Sequence, residues 1–407
     1  VIRDYMTDEF TGNAASLIVW RNPDPAPDGY RVRPARLEDA AAVAGVIGRR
    51  QRADLGAVEV DEGGVRDDWA GIDFDADTVV VEQGGVVRAC ADLVVRPGQV
   101  STYAYVDPEV VDAGTRRELG AFLAAWGEAR AAEELRAAEN LRAAENLRAA
   151  DNLRAVDGPT AADELPRGDD GVVVRHYAID TNPEAVRLLE DRGYVFQRSV
   201  LWMERELGAA VSGAPTGPTA GERRGLPSGV SLRTYRGERD EPAAHLAFEE
   251  GSLDMNGRAP NSREQWLAYV GTKDPSLVFI VETSDASGPG SAPASGPTGG
   301  PGSGPARAAG EIVGILIASV SGSQRSGGTA ALGHVDSLRV VRSWRRKGIG
   351  AALLAHAFAE LTARGAATVG LSVDAASPTG APNLYLDAGM HVTRRYLVME
   401  KIVDASG

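Results

Sequence analysis

The sequence predicts an α/β chain made of two diverged copies of one domain. Three observations carry that reading: segments spaced about 200 residues apart match one another, a Gly/Pro/Ser-rich stretch separates them, and strand-like runs alternate with helical spacing in the second copy. A chain of 407 residues suits two or three domains, and 43% hydrophobic content is ample for their cores.

The repeat is the firmest of the three. "GYRVRPARLED" from Gly29 and "GVSLRTYRGER" from Gly229 share Gly29/Gly229, Arg33/Arg233, Arg36/Arg236 and Glu38/Glu238, each 200 apart, and "VVVE" ending at Glu82 meets "FIVE" ending at Glu282. Towards the other ends, "LLEDRGYVFQRSVLWMER" from Leu188 meets "LYLDAGMHVTRRYLVMEK" from Leu384 at an offset of 196. These matches predict an N-terminal extension at 1–28, a first copy at 29–207, an exposed linker at 208–228 and a second copy at 229–403.

Spacing locates an insertion in each copy. Glu282 lies 68 residues from Gly350, whereas Glu82 lies 38 from Gly120. The excess is the Gly/Pro/Ser loop at about 284–310, too poor in apolar residues to fold. In the first copy, 73 residues separate Gly120 from Gly193, against 39 between Gly350 and Gly389. That excess, at about 130–165, holds "LRAAEN" starting at Leu135, Leu141 and Leu147. Six residues make one turn plus about 240°, so these leucines point three ways and predict a solvated helix braced by Arg/Glu pairs.

In the second copy "GVSLRTY" reads as a strand, "EPAAHLAFEEG" and "SREQWLAYV" as helices, and "SLVFIVET" with "EIVGILIASV" as a hairpin. "GHVDSLRVV" is the next strand. It ends at a basic turn, followed by the helix "GAALLAHAFAELTARG", closed by Gly365. "TVGLSVD" is a further buried strand; a short helix "APNLYLDAG" and a last strand "VTRRYLVMEKI" complete a βαβ pattern on a mixed sheet.

Composition removes several function classes. No run of about 18 apolar residues exists, and the start "VIRDYMTDEF" lacks the pattern of a secretory signal, so the expectation is a cytoplasmic protein with no membrane partner. One cysteine and five histidines form no metal-ligand spacing, so no metal is expected. A net charge of -14 disfavours nucleic acid, although Arg339, Arg342, Arg345, Arg346 and Lys347 concentrate positive charge locally.

That basic turn, "VRSWRRKGIGAALLAHAF" at 341–358, opens straight into a helix. A helix start offers unpaired N–H groups and about half a positive charge, so the turn suits an anion approached closely by backbone. A Walker loop would need GxxxxGK[ST], which is absent. A dinucleotide fingerprint would need GxGxxG, and "GIGAAL" lacks the third glycine. What stands there is RxxGxG, Arg345 to Gly350, which resembles the acyl-coenzyme-A loop of the GNAT superfamily of N-acetyltransferases. "LYLDAGM" resembles that family's LYxxxGF element, and both copies show its order of elements, as in the tandem group that includes mycothiol synthase.

The resemblance implies two GNAT-like domains, each a mostly antiparallel twisted sheet flanked by helices. It further implies transfer of an acetyl group from acetyl-CoA to a primary amine by direct attack, in the second copy. The acceptor would be a small-molecule amine or a peptide, with no nucleic acid involved. Gly348, Ile349, Gly350 and Ala351 would approach the pyrophosphate, Arg345, Arg346 and Lys347 would add charge, and Leu338 and Val340 would pair with the pantetheine arm. Tyr385 would protonate the departing thiolate. For the base, Glu249, Glu250, Asp254, His334 and Asp336 are candidates, and Asp336 is preferred as a rigidly held strand residue.

The first copy departs from this pattern. Aligning Gly120 with Gly350 puts Glu118 at Gly348 and Leu189 at Tyr385. A carboxylate about 5 Å from a phosphate charge costs about 3 kcal/mol at an effective dielectric near 20, or about two decades of affinity. The first copy is therefore expected not to catalyse, while "NPEA" at Asn182 keeps a family-like NxxA segment where the second copy has Ser377. The alternative function class is a non-catalytic coenzyme-A-binding regulatory or scaffold protein.

Overall fold

A computed structural model describes residues 26–58, 60–96, 98–153, 171–207, 225–255, 260–284, 310–321 and 331–404. Most of the N-terminal extension, most of the linker, the Gly/Pro/Ser loop and the end of the LRAAEN insertion lie outside the described residues. The chain divides into two compact units.

The N-terminal unit contains β1 (Arg31–Arg33), α1 (Ala40–Leu55), α2 (Glu62–Asp68), α3 (Phe74–Asp77), β2 (Thr78–Gln83), β3 (Val86–Arg96), β4 (Gln99–Val106), α4 (Ala113–Leu153), β5 (Val172–Ile179) and α5 (Pro183–Asp191). β6 (Val195–Glu206) follows. The C-terminal unit contains β7 (Val230–Thr234), α6 (Glu241–Ser252), α7 (Arg263–Gly271), β8 (Val278–Thr283), β9 (Ile312–Ser321), β10 (Ala331–Val340), α8 (Ile349–Ala363), β11 (Ala366–Asp374) and α9 (Ala381–Asp387), and β12 (His391–Val403) ends the chain.

Each unit forms the same six-stranded sheet with one parallel pair. The order is β1-β2-β3-β4-β5-β12 in one and β7-β8-β9-β10-β11-β6 in the other, with β4·β5 and β10·β11 parallel. The division falls within the last strand of each copy: Ser199–Arg395 forms one unit, and the other takes up the chain again at Tyr396. Tyr396 to Val403 pair with β5, and Val200 to Glu206 pair with β11. The closing strand of each copy thus completes the sheet of the other unit, so chain order and sheet membership part company here. "LWMER" and "LVMEK" carry the same pattern, so either strand offers either sheet the same buried side chains.

Core packing follows from strands buried on both faces. In the C-terminal unit Phe279, Val281 and Leu316 face Leu353, Leu354 and Phe358 of α8, while Ile280, Ile315 and Ile317 face Phe248 and Trp266 of α6 and α7. In the N-terminal unit Val79, Leu93 and Val174 lie under Leu119, Phe122 and Leu123 of α4. The matched residues at the start of the copies form one ion cluster in each unit. Arg33 bridges Asp39 and Glu82, and Arg233 bridges Asp240 and Glu282. Among the described residues no helix is long and apolar enough to cross a membrane, and no group of His, Cys, Asp and Glu could hold a metal ion.

Candidate active site

β10 and β11 pair in parallel from Ala331↔Ala366 to His334↔Gly370. Beyond that rung, among the described residues, β11 pairs only with β6 and β10 only with β9, so the two strands part. Asp336 occupies a bulge between Val335 and Ser337 that interrupts the β9 ladder just past the parting. Val341 donates to Val313 O at 3.0 Å, which turns the alternate residues Leu338 and Val340 away from β9. These two sequence-predicted positions therefore turn their N–H groups to the open edge of β10, while Leu338 O accepts from the Arg339 guanidinium and Val340 O from Arg345 Nε, each at 3.0 Å.

The edge leads into the basic turn. A single 3-10 turn, Arg342–Trp344, precedes Arg345, and Arg346 takes φ 62°, the sole non-glycine among the described residues with left-handed backbone. Gly348 takes φ 88° and caps α8. The first bond of α8 runs from Ala352 N to Gly348 O at 3.0 Å, so the N–H groups of Ile349, Gly350 and Ala351 have no partner within the helix. Gly350 serves packing as well, since a Cβ there would stand 3.1 Å from Leu384 Cδ2 of α9.

The four cations of the turn divide into two pairs. Arg345 donates to Asp254, to Gly251 O at 3.2 Å and to Val340 O at 3.0 Å, and Arg342 reaches the same carboxylate at 3.2 Å. The Arg345 guanidinium holds the Asp254 carboxyl below the usual carboxylate range. Arg346 and Lys347 carry no carboxylate partner among the described residues. Lys347 Nζ sits 4.5 Å over the Trp344 ring, and the Arg346 guanidinium lies beside Gly380, 3.8 Å from where a Cβ would stand.

Tyr385 is buried in α9, only 7% exposed, among the side chains that pack on α8. Burial pushes its hydroxyl pKa up, opposed by the nearby charge of Arg339, so the phenol keeps its proton at neutral pH. Arg339 is held over the Phe248 ring at 5.1 Å and donates to Ser252 Oγ at 2.9 Å.

The base candidates are dispersed. The Asp336 side chain is 2% exposed, accepts from Ser319 Oγ at 2.9 Å and pairs with Lys273 Nζ at 3.6 Å, on the face covered by α6 and α7. His334 is buried edge-on to Trp202 with ring centroids 5.8 Å apart. Glu249 accepts from Asn261 N at 3.2 Å, and Glu250 lies in the last turn of α6. Asp254 is engaged by the two arginines. Lys273 and Ser319 contribute to the site without any local sequence signal, because Ser319 enters through β9 and Lys273 from just beyond the end of α7.

Residues 291–390 match the model of the acetyltransferase (GNAT) family. The C-terminal half of the chain carries a GNAT acetyltransferase domain. Among solved structures, a GCN5-related N-acetyltransferase from Sphaerobacter thermophilus is 29% identical, with a TM-score of 0.66, and the match covers 93% of this chain and 98% of that one. A tandem GNAT protein from the clavulanic acid biosynthesis pathway aligns over 92% of this chain and 98% of its own, with a TM-score of 0.55 and 12% identity. A GCN5-related glucosamine N-acetyltransferase region within a fungal multi-domain GH3 β-N-acetylglucosaminidase aligns over 93% of this chain and 38% of that chain, with a TM-score of 0.54 and 14% identity. None of the curated proteins matches. The tandem GNAT fold thus spans nearly the whole chain, and the family match over its C-terminal half supports an acetyltransferase enzyme.

The turn has no counterpart in the N-terminal copy. Trp344 N bonds to Val341 O, and Val110 N bonds to Asp107 O, so these positions correspond. A Cβ on Gly120 would meet Leu188 Cδ2 at 2.7 Å, as one on Gly350 would meet Leu384, so these correspond too. Ten residues separate Val110 from Gly120, against six from Trp344 to Gly350. With these four additional residues α4 begins six residues earlier, relative to its glycine, than α8 does, and Glu118 stands inside a helix that already began at Ala113.

Proposed function

We propose that the C-terminal GNAT domain transfers an acetyl group from acetyl-CoA to a primary amine by direct attack. The observation that carries this reading is the junction of an open strand edge with a glycine turn whose helix-start amides have no intrahelical partner. The residues fit the donor: small ones where backbone must approach an anion, two cations without carboxylate partners beside them, and alternate strand residues turned outward. Acetyl-CoA supplies the acetyl group as an activated thioester.

The chain's own part is holding and proton handling. The amides of Gly348 to Ala351 bind the pyrophosphate, with Arg346 and Lys347 adding charge, and the outward N–H groups of Leu338 and Val340 hold the pantetheine arm. Tyr385 keeps its proton in a buried place and gives it to the sulfur as the thiolate departs. Asp336, fixed by Ser319 and Lys273, is the proposed base for the acceptor amine. The acceptor is a small amine or a peptide amine, and an acidic chain favours cationic acceptors.

Purified protein incubated with acetyl-CoA and a panel of primary amines, followed by thiol release, tests the reading. Turnover that Tyr385→Phe lowers by about two decades supports it; acetyl-CoA binding without turnover of any amine points to a regulatory protein.

A further inference from the structure

Resting on that functional reading, we propose that Arg345 is a positioning residue and not a phosphate ligand, and that Asp254 is the residue through which it acts. Three of the Arg345 contacts are already committed, and all three tie the coenzyme turn to its surroundings. Its Nε bonds the outward carbonyl of Val340, one Nη bonds Gly251 O in the last turn of α6, and the other pairs with Asp254 just beyond that helix. The fork thus spans the end of β10, the end of α6 and the start of the turn.

Close packing in the same place makes the connection stiff. Gly251 lies so near β10 that a Cβ would stand 2.8 Å from Arg339 Cβ and 3.3 Å from Val340 N. Arg339 in turn bonds Ser252. The stretch from Phe248 to Asp254, which includes Glu249 and Glu250, is therefore fastened to the strand and turn that receive the coenzyme. Asp254 is also a carboxylate placed beside a polyanion site, which by charge alone is unfavourable. Its retention of two guanidinium partners makes sense when holding Arg345 outweighs that repulsion. Arg346 and Lys347 remain as the cations of the turn that face the phosphates.

The sign of one substitution separates positioning from charge. Asp254→Asn removes a negative charge near the pyrophosphate. Charge alone would tighten coenzyme A binding, whereas loss of the anchor weakens it. Calorimetric titration with coenzyme A is expected to show affinity at least fivefold weaker for Asp254→Asn. Arg345→Lys should be weakened to a similar degree, because an ammonium cannot reproduce the three-way fork. Arg364→Lys, at the opposite end of α8 from the turn, should retain affinity within about twofold. Tighter binding by Asp254→Asn, or full affinity in Arg345→Lys, overturns the proposal.

Amide hydrogen exchange without coenzyme gives a second readout. Asp254→Asn should speed exchange in both 248–255 and 345–350, and unchanged exchange in both segments also overturns the proposal. If the unsubstituted protein fails to bind coenzyme A, the functional reading falls, and the exchange result alone decides whether the anchor exists.

Discussion

The turn before α8 and the chain before α4 start from the same strand-to-helix connection and end as opposite solutions. In the C-terminal copy the helix starts late, one residue before Gly350, behind a glycine that takes left-handed backbone. In the N-terminal copy it starts seven residues before Gly120, and the nearly two extra turns absorb the amides that would otherwise be exposed. Both copies keep the parting of a parallel pair, beyond Thr102↔His176 in one and His334↔Gly370 in the other. What separates the proposed binding edge from its counterpart is therefore an earlier helix start of six residues, nearly two turns. The charge of Glu118, legible in the sequence, is secondary to that.

The largest effect is expected from breaking the C-terminal turn. Gly348→Glu puts a carboxylate in the pyrophosphate path, costing about 3 kcal/mol, and forces a side chain onto left-handed backbone for about 1 kcal/mol more. Acetyl-CoA affinity should fall by two to three decades in calorimetry while the circular dichroism spectrum is kept. Unchanged affinity would show that the turn is not the coenzyme site.

Next in size is the acid. Tyr385→Phe should lower turnover by about two decades and leave the acetyl-CoA dissociation constant within about twofold, since the hydroxyl acts only as the thiolate leaves. An equal loss in binding would make Tyr385 a packing residue. The converse substitution sharpens the comparison: Leu189→Tyr should add no activity, because α4 has consumed the amides beside it.

A smaller effect concerns the last parallel rung of the N-terminal copy. Burial lowers the His176 pKa from 6.5 to about 4, and its ring stands edge-on to Tyr194 with centroids 5.0 Å apart. Above pH 6.5 the ring is neutral whether folded or unfolded, so it adds no pH dependence there. As pH falls below 6.5 the unfolded chain takes up a proton that the folded chain resists, and stability drops by about 2 kcal/mol by pH 5. His176→Gln should flatten the fall in melting temperature between pH 7 and pH 5. A slope identical to that of the unsubstituted protein would assign the acid sensitivity to other groups.

The sequence made the repeat visible because Gly29/Gly229, Arg33/Arg233 and Glu82/Glu282 mark backbone and ion clusters built identically in both units. The RxxGxG turn was legible as well, since glycine needs and helix starts are local. The parting of β10 from β11 was not, because it depends on which neighbour each strand leaves. Nor was the exchange of closing strands, for which β6 and β12 carry interchangeable patterns. The partition of the basic cluster was hidden too, since Asp254 lies 91 residues from the arginine it holds and spacing cannot pair them.

The central claim is that one copy binds and the other supports. Counting acetyl-CoA molecules per chain by calorimetry at saturating ligand addresses it most directly. The account predicts one site, eliminated by Gly348→Glu. Two sites per chain, or a single site that survives that substitution, would contradict it.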